Sequence, residues 1–179
     1  MAKLTDVFQL LAQDFASNTL TWLPTVFLSA ALIWFAVCAA VLFVIDVRHH
    51  RLPNRWTGAL FAGAGILLLA STLTAAEGSA LSGRWLSTVL GSVGYLLVMF
   101  VLHVVTRAGI GMGDVKLAAG LGLYTGFLGL EPLIAGFVFA FLLGGLQAIY
   151  LVAFRGAHKT TRIAFGPAML LGCTVALLM

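Results

Sequence analysis

Six long apolar runs constrain this chain more than any other feature of its sequence. They cover Thr25–Ile45, Thr57–Ala76, Trp85–Thr106, Val115–Leu130, Leu133–Phe154 and Ile163–Leu178, and Lys116 is the one residue of formal charge inside them. A transmembrane helix needs about 20 predominantly apolar residues, so the pattern predicts an all-α protein with six membrane spans. Composition excludes the soluble classes. Charged residues are 9% of the chain and hydrophobic ones 61%, whereas a soluble domain carries roughly 25% charged residues. The mean hydropathy of +1.09 agrees. With 179 residues and no internal repeat or linker, one integral membrane domain over 1–179 is expected.

Charge by side sets the orientation. Arg48, Arg51, Arg55, Arg107, Lys116, Arg155, Lys159 and Arg162 fall on one side of the runs, and Lys3 and Arg84 on the other. Eight against two predicts the first group in the cytoplasm and both termini outside. A net charge of +4 suggests nucleic acid in a soluble chain. Here the cations belong to short loops that meet anionic lipid, and membrane lipid rather than nucleic acid is the expected partner. Trp22, Trp56 and Trp85 stand at run ends as interfacial anchors. Leu4, Val7, Phe8, Leu11 and Phe15 recur at helical spacing, which predicts an amphipathic segment over 1–22 on the outer surface, ahead of a six-helix core over 23–179. Cys38 and Cys173 lie within apolar runs and read as small buried hydrophobes. With no CxxC pair, no metal site is expected.

Four carboxylates, Asp6, Asp14, Glu77 and Glu131, are easily placed near water. Asp46 and Asp114 instead abut apolar runs at the cytoplasmic side. An ionisable group at membrane depth marks function by default, although position alone equally admits an ordinary helix-end residue paired with Arg or Lys. The run after Asp114 is about 24 Å long at the helical rise, against a hydrocarbon core of about 30 Å. Asp114 is thereby drawn inside the inner boundary. Gly109, Gly111 and Gly113 before it suit irregular backbone at that depth, tolerated only beside protein or a water-filled cavity. Near Asp46, Pro53 ends helical continuation, and Asn54, or slightly later Thr57, is the candidate N-cap of the second helix.

Three segments together resemble type IV prepilin peptidases, membrane aspartic peptidases of the GxGD type. They are D-x5-LPN-x2-T from Asp46 to Thr57, GMGDVKLAAGLG from Gly111 to Gly122, and AFGPAMLLG from Ala164 to Gly172. The resemblance runs from the first helix to the sixth. It implies that Asp46 and Asp114 are the catalytic pair, that the substrate is a prepilin or pseudopilin whose basic leader is removed at the cytoplasmic membrane face, and that no cofactor takes part. Larger bacterial members carry a cytoplasmic insert with paired cysteines near the first helix, and many also methylate the new N-terminus. The absence of those cysteines here removes the expectation of zinc and makes methyl transfer unexpected. Asn54 stands where many relatives have Asp, closer to the short forms of Flp/Tad or archaeal-type systems.

Two carboxylates facing one water need different protonation states, and close like charges in a low dielectric provide them. Lys116 either binds a substrate carboxylate, since prepilin-like substrates usually carry a Glu shortly after the cleavage point, or snorkels to the interface. Gly111 and Gly113 are candidates for close approach of the substrate backbone. Adjacent His49 and His50 point apart on a helix and make a poor metal pair. His103 suits an interhelical hydrogen bond, and Gly166-Pro167 a kink or close packing in the sixth helix. The competing class is a small proton-coupled transporter or channel, which shares intramembrane carboxylates and glycine-broken helices. Carboxylates on one side rather than near the midplane argue against it.

Overall fold

A computed structural model describes residues 22–107, 109–155 and 165–179. They form α1 (Trp22–His49), α2 (Asn54–Thr74), α3 (Trp85–Val105), α4 (Met112–Leu128), α5 (Leu130–Arg155) and α6 (Gly166–Leu178), and no strand occurs among the described residues. The protein is all-α, as its six runs predict. Among the described residues, four helices are long and apolar enough to cross a membrane: α1, α2, α3 and the Leu130–Tyr150 part of α5. The 1–22 amphipathic segment (up to 21) and the basic loop bearing Lys159 and Arg162 lie outside the described residues.

Two boundaries differ instructively from expectation. Glu131-Pro132 does not break the fourth run; Gly129 does, at φ 130° and ψ −171°, a conformation essentially reserved for glycine. Pro132 then falls in the first turn of α5, where its missing N–H has no helical acceptor to lose. Gly166 and Pro167 do not kink the last helix. They open it, with Pro167 in its first turn.

The centre of the bundle is α4. Every residue from Leu117 to Leu128 is buried, and α2, α3, α5 and α6 all pack on it. Small residues make that burial possible. A Cβ on Gly91 of α3 would lie 2.5 Å from the Cα of Gly126, and one on Gly122 would lie 2.6 Å from the Gly91 carbonyl oxygen. The two backbones therefore touch, the dispersion-driven packing expected where lipid supplies no hydrophobic drive. Interhelical hydrogen bonds fix the rotations. Tyr124 donates to the Ala31 carbonyl at 2.8 Å, Ser92 to that of Ala119 at 2.8 Å, Ser71 to that of Pro24 at 3.0 Å, and the Trp34 indole to that of Ala59 at 3.0 Å. At the other end Arg84 donates to the carbonyls of Phe127 and Leu128, at 2.8 and 3.1 Å, and so caps the C-terminus of α4.

Candidate active site

Helix α1 buries a single stripe: Pro24, Leu28, Ala31, Phe35, Cys38, Leu42 and then Asp46. Asp46 continues the apolar face by one turn and is 4% exposed, so this carboxylate faces protein. Its partner there is the N-terminus of α6. The Gly166 N–H donates to Asp46 Oδ2 at 3.1 Å, one of the amides a helix leaves unpaired at its start, where the macrodipole favours negative charge. A Cβ on Gly166 would sit 2.5 Å from that oxygen. Only glycine leaves room for the carboxylate to reach the amide.

Asp114 occupies the third position of α4, partly buried. Its Oδ2 accepts the Gly111 N–H at 3.2 Å, while the Asp114 N–H donates back to the Gly111 carbonyl at 3.0 Å. The glycine-rich segment before α4 thus ends as a capping turn. Both carboxylates are held in one way, each through one oxygen by a backbone amide at a helix N-terminus. They lie at the same end of the bundle, where Leu52 packs against both Gly113, next to Asp114, and Gly166, which holds Asp46. The two aspartates singled out in the sequence, 68 positions apart by number (114 less 46), are brought together.

The turn between α1 and α2 closes the site on one side. His50 ends α1 in the left-handed region at φ 49°, and its N–H donates to the Asp46 carbonyl at 2.8 Å. Asn54 is not the N-cap of α2; Pro53 occupies that position without a side-chain cap, and Thr57 donates back to the Asn54 carbonyl at 3.2 Å. The Asn54 side chain is used elsewhere. Its Oδ1 accepts from Lys116 Nζ at 2.9 Å, tying α2 to the exposed side of α4. Gly111 is exposed and Gly113 half-buried at the mouth of this arrangement.

The sequence profile of the type IV leader peptidase family matches residues 31–149, which include both aspartates and the turn between α1 and α2. The chain belongs to that family. It is similar to proteins named prepilin leader peptidase/N-methyltransferase. That of Pectobacterium carotovorum is 31% identical over 98% of this chain and 60% of its own length. That of Aeromonas hydrophila is 30% identical over 83% and 49%, and that of Bacillus subtilis 28% over 77% and 51%. The chain spans about half the length of these curated relatives, three-fifths in one case. No solved structure matches it.

Remaining candidates sort themselves against this leader-peptidase frame. His103 donates through Nδ1–H to the Ile110 carbonyl at 2.6 Å, so it fastens the end of α3 to the segment before α4. His49 leans on the Ile45 carbonyl at 3.3 Å, away from any shared ligand position with His50. Cys38 and Cys173 are free and buried, as small hydrophobes. Sequence reasoning missed Gly166 as a carboxylate anchor. Its signal is the Gly166-Pro167 pair, for which the sequence offers a kink or close packing; the structure shows the close packing, against Asp46 and Leu52.

Proposed function

We propose that the chain is an aspartic endopeptidase that removes the leader of type IV prepilin-like proteins at the cytoplasmic face of the membrane, with Asp46 and Asp114 as its catalytic pair. One observation carries the reading: two carboxylates from different helices lie at one end of the bundle, in a member of a leader peptidase family. A transporter would use such groups near the midplane. The orientation is that of the charge asymmetry, with both termini outside and the α1–α2 turn in the cytoplasm.

The chemistry follows from sharing one proton between two acids. The ionised carboxylate removes a proton from water, and the resulting hydroxide attacks the scissile carbonyl. The protonated carboxyl donates to the carbonyl oxygen, giving a tetrahedral diol. The carboxyl protonated by water then protonates the departing amine as the C–N bond breaks, while the other, now ionised, takes a proton from a diol hydroxyl. Backbone amides at Gly111 and Gly166 hold the two acids in register through these transfers. Gly111 and Gly113 give the substrate backbone close access, and Lys116 meets a substrate carboxylate by exchanging its Asn54 partner for it.

Co-expression with a panel of type IV prepilins, followed by mass measurement of each product, tests the assignment. The expected result is loss of the basic leader from at least one of them. Intact precursors throughout, with the protein folded in the membrane, would contradict it.

A further inference from the structure

Leu52 touches backbone next to both aspartates: Gly166, whose amide holds Asp46, and Gly113, the chain neighbour of Asp114. A Cβ on Gly113, the residue before Asp114, would lie 3.1 Å from Leu52 Cβ and 3.6 Å from its Cδ1. A Cβ on Gly166, whose amide holds Asp46, would lie 3.3 Å from that same Cδ1. One methyl group thus packs against both glycines. The side chain joins the apolar core from a partly buried position, and the turn that carries it is fixed on both sides. Pro53 holds extended geometry at φ −71° and ψ 130°, and Asn54 is bonded to Lys116 of α4.

We propose that Leu52 is a positioning residue, an apolar spacer wedged between Gly113 and Gly166 that sets the separation of the Asp46 and Asp114 carboxylates. The inference rests on the catalytic pair assigned above. The physical reason is that, among the described residues, no hydrogen bond links the two acids to each other; each is bonded to its own amide. A filled contact between the Gly113 and Gly166 backbones supplies the missing constraint. Interiors packed near crystal density transmit such constraints because they yield little to compression. The two glycines flank the spacer for the same reason, since any larger residue there would move it.

Leu52→Ala, Leu52→Val and Leu52→Met, purified in detergent beside wild type, decide the matter. The probe is a prepilin that the wild type cleaves, and rates are normalised to folded, monodisperse protein. Misplacing reacting groups by about 1 Å costs about 100-fold, so Leu52→Ala should lose between about tenfold and 100-fold in kcat. KM should stay within about twofold, because the spacer does not touch substrate. Leu52→Met, which refills the gap, should recover kcat to within about threefold of wild type. Should Leu52→Ala yield no folded protein, Leu52→Val serves instead. It removes the Cδ contact at small cost in volume, with an expected kcat loss of at least about threefold. Wild-type kcat in the truncated variant, or a loss confined to KM or to folded yield, overturns the spacer. Asp46→Asn and Asp114→Asn run in parallel. If either stays active, the pair assignment falls and takes the spacer with it; if both are inactive while Leu52→Val keeps full kcat, the spacer alone falls.

Discussion

At the scale of single residues, the site depends on what is absent from two side chains as much as on the two acids. Gly166 shows this most sharply, because the carboxylate of Asp46 occupies the space its Cβ would need. Gly166→Ala should therefore push Asp46 off its amide and lower cleavage by at least about tenfold. The thermal midpoint should move little, since glycine at a helix start is replaced by a better helix former. Activity per folded molecule and a thermal unfolding curve, measured on one preparation, check both halves; unchanged activity would mean that the hydrogen bond from Gly166 has no part in the chemistry. The two acids stand out in the sequence through spacing and motif rather than position, since a carboxylate beside an apolar run equally admits a helix-end ion pair. Their amide partners do not. A hydrogen bond between Gly166 and Asp46 spans 120 positions, and no local pattern encodes it.

At the scale of elements, the apolar runs located the helices and the start of α3 at Trp85, but not the starts of four others. Helices α1, α2, α4 and α5 begin at Trp22, Asn54, Met112 and Leu130, each one turn ahead of runs that open at Thr25, Thr57, Val115 and Leu133. Hydropathy marks where lipid-like surroundings begin. The first turn of a helix, whose amides lack internal partners, belongs with the polar residues that can serve them. That offset places Asp114 inside α4 rather than in the loop before it. Helix α4 is short, about 25 Å at the helical rise, and a charged group closes each end, Asp114 at the first turn and Arg84 at the last carbonyls. Hydrogen bonds to charged groups contribute about 1.5–3 kcal/mol. Arg84→Gln should accordingly destabilise the detergent-solubilised protein by about that amount. Arg84→Lys should restore only part of it, because an ammonium cannot keep the Nε–H bond to the Ala80 carbonyl while its head reaches Phe127 and Leu128. Equilibrium unfolding in mixed micelles reads the difference, and equal stability of Arg84→Gln and wild type would show that α4 needs no cap from α3.

For the whole molecule, six apolar segments and a lopsided distribution of cations specified an all-α membrane bundle before any coordinates, because lipid leaves a chain few ways to satisfy its backbone. The packing order was less legible. That α4 lies at the centre depends on glycines meeting across helices, Gly91 on Gly122 and Gly126, and such pairings look in sequence like the many other glycines of the chain. Orientation is open to direct measurement. Ser82→Cys should react with a membrane-impermeant thiol reagent from outside, and Arg51→Cys only after the membrane is opened; the native Cys38 and Cys173 are buried and give no background. The reverse pattern would turn the site to the wrong face for a cytoplasmic leader. The central claim is that one proton shared by Asp46 and Asp114 cuts the leader. Its most direct test is prepilin cleavage per folded molecule by Asp46→Asn and Asp114→Asn. Asn keeps the size of each side chain and its hydrogen bond to the anchoring amide but cannot exchange the proton. Both variants should stay folded and lose at least about 100-fold in rate, whereas near wild-type cleavage by either one would contradict the account.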